Sequence, residues 1–274
     1  MKGVAASILI LFLTEVAVPT RARFPDASSF FPQQTARSKS RKIIPASPEP
    51  AKEIAVPFAV GETLNYVVAW SAFSAAATAK LTVVERRPFP GGTVWHFQAA
   101  AHSQNPVRSL FTIDDQFDSY TDAATLDSRQ YEMYLDELGR KVDRVYHLQP
   151  QGQKLPSTGS AVIVPKGTRD PVGAFYSFRA ADWQKTPELV TPVYDGHDVY
   201  EMHAHADAAP EDVTVPAGHF SATRVSVTAM QNHSPVAGLN LTFWIARDSA
   251  RTPAQIVAEL PFGTLRISLA SVSK

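Results

Sequence analysis

The stretch RDPVGAFYSFRAADW, from Arg169 to Trp183, is the one strong helical signal in a region that otherwise reads as strands. Asp170 is a residue type that caps helices, and Pro171 follows it at the position that commonly opens one. Over the next two turns the apolar side chains gather toward one side: Val172, Phe175, Tyr176 and Phe178. A single helix with an apolar side needs a concave sheet to receive it.

Period-two alternation of apolar residues predicts strands on both sides of this helix. In the run ETLNYVVAWS the alternating residues share one face, namely Leu64, Tyr66, Val68 and Trp70. The Asp195-Gly196 pair is typical of a tight hairpin turn. The sequence therefore predicts an all-β, mainly antiparallel fold, a large curved sheet or half-closed β-barrel of roughly a dozen strands with one helix packed against it.

The chain divides into three segments by composition. Residues 1–22 have Lys2, an apolar run and small residues ending at Ala22, which resembles a secretory signal peptide. A retained membrane anchor is the alternative, but Glu15 and Pro19 interrupt the roughly 20 apolar residues that it needs. Residues 23–56 are rich in Pro, Ser and Lys and are interpreted as a disordered linker. Residues 57–274 are expected to form a single β-barrel-like domain in a protein that is periplasmic or secreted.

Composition and absent motifs exclude several function classes. The chain has no cysteine, so disulfides, thiolate metal sites and a cysteine nucleophile are impossible. Basic residues concentrate before residue 53, and the mildly acidic domain that follows has no electrostatic reason to bind nucleic acid. The sequence contains no GxSxG, HExxH, P-loop or GxGxxG motif. We therefore expect a protein that is not an enzyme and holds no cofactor.

The strongest candidate for a metal site lies around the predicted hairpin. His203 and His205 are two apart on a predicted strand and so emerge on one face, where an imidazole pair can bind zinc with a carboxylate. The alternative, which we prefer, is a solvent-facing strand. The candidate ligands are Asp195, His197, Asp198, Glu201, His203 and His205.

Three aspartates, Asp114, Asp115 and Asp118, suggest either acid–base or calcium chemistry, or a structural role. Asp115 shares a face with Phe117, which indicates a buried acid, and a buried charge needs a partner. Arg169, beside the predicted start of the helix, is the partner we expect. We favour the structural role, with Asp115 and Arg169 joining strand to helix and Asp170 and Pro171 anchoring its first turn.

Aromatic side chains are the remaining candidates for binding, because they can line a cavity for an apolar ligand. Each of them can instead simply fill the core. The candidate ligand-binding residues are Tyr66, Trp70, Trp95, Phe97, Phe117, Phe175, Phe178 and Phe243.

Several segments together resemble a bacterial envelope family known as the domain of unknown function number three-one-zero-eight. The resemblance implies an exported, curved antiparallel barrel with a packed helix, loosely similar to periplasmic lipoprotein-carrier barrels, and it implies no established activity. The segments are PFAVGETLNYVVAW at Pro57 to Trp70, the run from Asp115 to Asp122, RDP at Arg169 to Pro171, VPAGHFSA at Val215 to Ala222, and PFGTLRISL at Pro261 to Leu269.

Two functions remain open at this point. The first is an exported envelope protein that binds a hydrophobic or amphipathic ligand, such as a lipid, an acyl chain or a polymer precursor, without catalysis. The second is a structural or protein-interaction module of the cell envelope with a filled core. The expected partners are accordingly a hydrophobic small molecule or an envelope protein.

Overall fold

The computed structural model describes residues 53–149, 152–156 and 161–274. The first six strands are β1 (Thr63–Trp70), β2 (Phe73–Phe89), β3 (Gly92–Ser103), β4 (Asp114–Asp122), β5 (Ser128–Glu137) and β6 (Arg140–His147). A short 3-10 helix, Val107–Ser109, precedes β4. The middle of the chain forms β7 (Gln153–Pro156), β8 (Ala161–Val164) and the helix α1 (Pro171–Ala180). The last six strands are β9 (Glu188–Tyr194), β10 (Val199–Val215), β11 (Gly218–Gln231), β12 (Ser234–Ala246), β13 (Pro253–Leu260) and β14 (Gly263–Ser273).

Twelve of these strands form one sheet, in the order β6-β5-β4-β3-β2-β1-β14-β13-β12-β11-β10-β9. Each half of the chain is a meander, and the first strand pairs with the last, so the two meanders join in the middle of the sheet. The neighbouring strands are antiparallel, β6 and β9 are the edges, and β7 pairs with β8 separately. The predicted class, a large antiparallel sheet that is curved and not closed, with one α-helix, is confirmed.

The alternation in the sequence places one face of the sheet in the core. In the amino-terminal half, cross-strand neighbours form a continuous apolar stripe over five strands: Leu64, Leu81, Ala99, Phe117 and Met133. In the carboxy-terminal half, a matching stripe consists of Ile267, Ile256, Phe243 and Val225. Burying each large apolar side chain contributes about 1.5–3 kcal/mol, so these stripes specify the register.

The helix lies inside the curve of this sheet, since its side chains contact both halves. Tyr176 stacks on Phe97 of β3, with ring centroids 3.7 Å apart, and Phe178 lies 5.7 Å from Phe243 of β12. Seven of its ten residues are buried. Burial therefore extends beyond the side on which the apolar residues gather, because a helix inside a curved sheet meets side chains on most of its circumference. In the part of the chain that the structure describes, no helix is long and apolar enough to cross a membrane.

Residues 1–52, which include the predicted signal peptide and most of the predicted linker, lie outside the described residues. The last residues of that linker are described. The Ile54 N–H donates to the Ala123 carbonyl at 3.3 Å, and Val56 packs against the core. Packed structure therefore begins slightly before the expected boundary at Pro57.

Candidate functional site

Asp170 fixes the start of α1. Its Oδ2 accepts hydrogen bonds from the hydroxyls of Ser119 and Ser128, both at 2.5 Å, and its Oδ1 accepts from the Gly173 N–H at 2.9 Å. The residue is fully buried, which raises the pKa of its carboxyl, whereas these hydrogen bonds act in the opposite direction. The predicted cap and Pro171 at the first helical position are confirmed. The hydrogen bonds that Asp170 accepts from Ser119 and Ser128 attach the start of the helix to β4 and β5.

Arg179 fixes the other end of α1 through a buried ion pair with Glu62. One guanidinium nitrogen contacts Glu62 Oε1, and Nη2 donates to Glu62 Oε2 at 3.0 Å. Nη2 and Nε also donate to the Ala250 carbonyl, at 2.9 and 3.1 Å. Sequence reasoning missed this pair, although one charged residue within the apolar run FYSFRA was a usable signal.

The predicted pair between Asp115 and Arg169 is wrong. Arg169 instead contacts Asp127 at 3.3 Å and donates to the Thr191 hydroxyl at 2.5 Å. Asp115 is buried as expected, but it accepts from the Asp136 N–H at 3.0 Å. The reason is distance along β4: Asp115 lies four residues before Ser119, which contacts the helix start, and four residues span about 13 Å in a strand.

Between α1 and the carboxy-terminal half of the sheet there is a partly open apolar cavity of about 100 Å³. The helix contributes Pro171, Ala174, Phe175 and Phe178 to its wall. The opposite wall comes from β2 and from β9 to β14, and its side chains are almost all aliphatic or aromatic. Such a space favours apolar groups, because it offers water few hydrogen-bond partners.

Three of the eight predicted ligand-binding aromatics line this cavity, namely Phe175, Phe178 and Phe243. Phe175 and Phe178 belong to the helix, and both lie within ring contact of Phe243 on β12. The helix and the facing sheet therefore meet through these rings at the cavity wall.

The other five predicted residues pack elsewhere. The Tyr66 hydroxyl donates to the Pro253 carbonyl at 2.9 Å, and Phe97 stacks on Tyr176 of the helix. The side of α1 that carries Tyr176 packs against the amino-terminal half of the sheet. The cavity therefore lies on the other side of the helix. The remaining three pack as follows: Trp95 against Phe58, Phe117 against Tyr131, and Trp70 against Phe73 and Phe111 at one end of the sheet.

Asp195 is the polar exception in the cavity wall. It is 3% exposed and lies in the turn between β9 and β10. Its Oδ1 accepts from the backbone N–H groups of His197 and Asp198, both at 2.7 Å. Burial raises the pKa of its carboxyl to about 7, although the two N–H groups act against this shift. The sequence drew attention to Asp195 only as a turn residue and a possible metal ligand.

Two histidines of the candidate metal site, His203 and His205, are exposed on the outside of the sheet, whereas His197 is partly buried in the turn and contacts Asp198. His203 contacts Glu201, and His205 lies 3.6 Å from Glu188 on β9. Asp195 faces inward instead, because the hairpin turn places it on the core side. Within residues 53–149, 152–156 and 161–274, no three His, Asp or Glu side chains are grouped to hold a metal ion.

The three candidate aspartates of β4, Asp114, Asp115 and Asp118, have separate surroundings. Asp114 accepts from Arg108, at 2.9 and 2.7 Å, and this pairing lowers the pKa of Asp114 to about 2. Asp118 lies on the other face from Asp115, where it contacts His96 at 2.6 Å. These carboxyls therefore do not converge on one site.

Comparison with known proteins places the chain in a family. No curated protein matches its sequence. Among solved structures it is similar to a β-barrel-like protein of domain of unknown function DUF1849 from Brucella abortus, with 11% identity, a TM-score of 0.49, and coverage of 78% of this chain and 97% of that chain. It is also similar to a protein from Bacteroides fragilis described as exported and as having a YmcC-like fold, with 12% identity, a TM-score of 0.37, and coverage of 81% and 100%. The family model described as Protein of unknown function (DUF3108) matches residues 65–270, which is most of the chain, and the protein therefore belongs to the DUF3108 family that its sequence resembles.

Proposed function

We propose that this chain is an exported envelope protein that holds the apolar part of a hydrophobic or amphipathic molecule beneath α1, without catalysing a reaction. A lipid, an acyl chain or a polymer precursor has the required chemistry. The observation that carries this proposal is the partly open apolar cavity between α1 and the carboxy-terminal half of the sheet. Each methylene group buried there would contribute about 0.8 kcal/mol to binding.

The size of the cavity limits what enters without rearrangement. A volume of about 100 Å³ is smaller than the cavity of about 150 Å³ that accepts benzene in an engineered protein core. A short alkyl segment therefore fits, and a longer chain requires wall side chains to move. Met202 is suited to this movement, because it is only partly buried and its thioether chain is flexible.

Export is proposed from the amino-terminal sequence, where Lys2, the apolar run and the small residues up to Ala22 resemble a signal peptide. This part of the proposal is tested by the amino-terminal sequence of the protein recovered from a periplasmic extract. A mature terminus near residue 23 supports cleavage. An intact terminus in the membrane fraction supports a retained anchor instead.

Ligand binding is tested with a neutral fluorescent apolar dye, N-phenylnaphthylamine, and a variant that fills the cavity. The dye is larger than the cavity, so it has to enter from the open side and displace wall side chains such as Met202. Ala229 is 1% exposed and lies in the wall, so Ala229→Leu places three extra carbons in the space. We expect the wild-type chain to bind the dye and the variant to bind it about tenfold more weakly, which corresponds to about 1.4 kcal/mol.

The matched control is Ala209→Leu, the same change at an exposed position of β10, which should bind like the wild type. Equal binding by Ala229→Leu and the wild type would place the dye outside the cavity. If isothermal titration calorimetry also shows no binding of the slimmer ligand octanol, absence of dye binding by the wild-type chain would favour the alternative, an envelope interaction module with a filled core.

A further inference from the structure

Asp195 has one carboxyl oxygen that no described residue satisfies. Its Oδ1 already accepts two backbone N–H groups, whereas its buried Oδ2 has no hydrogen-bond partner within the described part of the chain. An unsatisfied buried polar group costs about 1–3 kcal/mol. Asp195 is also the one carboxylic acid among the described residues that line the cavity.

Within the part of the chain that the structure describes, no lysine or arginine forms an ion pair with Asp195, and His197 lies in the same turn. Tyrosine side chains from four strands lie near it, and burial raises the pKa of its carboxyl to about 7. The titratable groups that face it are His197 and Asp198 in the turn, Tyr194 and Tyr200 on β9 and β10, and Tyr131 and Tyr146 on β5 and β6. A ligand hydroxyl can supply the missing hydrogen bond if a side chain of the cavity wall moves, because Oδ2 itself has almost no accessible surface.

We propose that Asp195 is the polar anchor of this cavity and that its ligand is an amphipathic molecule with an uncharged, hydroxyl-bearing end, such as a long-chain alcohol or an acylglycerol. This inference rests on the proposed function. A hydroxyl donates to an ionised carboxylate and can also accept from a protonated one, so it satisfies Oδ2 in either state. A carboxylate end is disfavoured, because two like charges in one buried site repel. Tyr200, which lies in the same wall, borders the space where the hydroxyl would sit.

The test is displacement of N-phenylnaphthylamine from the full wild-type chain by three compounds built on an eight-carbon chain, the carboxylate carbon included: octanol, methyl octyl ether and octanoate. At pH 8 the Asp195 carboxyl is mostly ionised and only accepts hydrogen bonds. We expect octanol to displace the dye at about tenfold lower concentration than the ether, the ratio expected for one buried hydrogen bond, and octanoate to be the weakest.

Asp195→Asn separates this anchor from general apolar binding. The amide oxygen can keep the two backbone N–H groups, which places the amide N–H₂ where Oδ2 stands. The octanol preference should disappear in this variant, and octanoate should bind more tightly than it does to the wild type. Asp198→Asn is the matched control, because Asp198 is in the same turn, contacts His197, and does not line the cavity.

Each outcome decides something. Equal displacement by octanol and the ether in the wild type, or an unchanged ranking in Asp195→Asn, overturns the anchor and leaves apolar binding intact. No displacement by any of the three compounds overturns the proposed function and the anchor together. If Asp195→Asn does not fold, the ranking of the three compounds on the wild type and on Asp198→Asn still decides the matter.

Discussion

Arg179 at the end of α1 and Glu62 just before β1 form a bidentate ion pair across 117 positions of the chain, with Arg179 0% and Glu62 4% exposed. The guanidinium also lies 5.7 Å from the Phe58 ring centroid and donates to the Ala250 carbonyl. It therefore connects the helix to the start of the sheet and to the loop after β12. The helix is held at this end by charge and at its first turn by the Asp170 cap.

Removing either partner of this pair should strongly destabilise the fold. Glu62→Gln leaves the Arg179 charge buried and uncompensated, and Arg179→Met does the same to Glu62, so each should lower the free energy of unfolding by about 3–5 kcal/mol in urea titrations. The apolar double variant Glu62→Leu/Arg179→Met should be more stable than either single variant. Lys185→Ala is the control, because this exposed lysine pairs with Asp182 at the surface, and it should unfold like the wild type. A small effect of the single variants would show that the pair contributes little.

Stability should fall as pH rises from about 4 to about 8. Burial raises the pKa of both Asp115 and Asp195 from 3.8 to about 7, so in this interval the folded protein binds more protons than the unfolded chain. Each shift corresponds to at most about 4 kcal/mol, which is fully present below pH 4 and lost through pH 7. Urea unfolding at pH 5 and at pH 8 measures the difference.

Asp195→Asn should reduce this pH dependence, because the amide does not ionise, and the variant should equal or exceed the wild type in stability at pH 8. Asp143→Asn makes the same change in charge at an exposed position of β6 and should leave the slope unaltered. An unchanged slope in Asp195→Asn would mean that Asp195 ionises as easily in the folded protein as in the unfolded chain.

Double-mutant cycles should show coupling between Arg169 and Asp127 but none between Arg169 and Asp115. Arg169 and Asp127 are in contact at 3.3 Å, with side chains 16% and 22% exposed, so we expect an interaction energy of about 0.5–3 kcal/mol. Asp115 accepts from the Asp136 N–H instead, and its effect should add to that of Arg169 within about 0.5 kcal/mol. The measurement is urea unfolding of the single and double alanine variants. Strong coupling between Arg169 and Asp115 would contradict the contacts observed in the structure.

Local pattern was sufficient to predict the elements. Alternating residues such as Leu64, Tyr66 and Val68 predicted β1 and its buried face, and Asp195-Gly196 predicted the turn between β9 and β10. Asp170 and Pro171 predicted where the helix begins. These features depend on residues within a few positions of one another, since strand alternation, capping and turn conformation are local properties of the backbone.

The site depended on how distant strands come together. The sequence by itself determined an antiparallel sheet, one capped helix and a set of core aromatics. Only the tertiary structure decided that Phe175, Phe178 and Phe243 border the cavity, whereas Phe97 is covered by the stacked ring of Tyr176. It also decided that Arg179 pairs with Glu62 and that Asp195 lies in the apolar wall of the cavity. The physical reason is that the curvature of the sheet and the placement of the helix within it set these contacts, and both arise from packing between residues far apart in the chain.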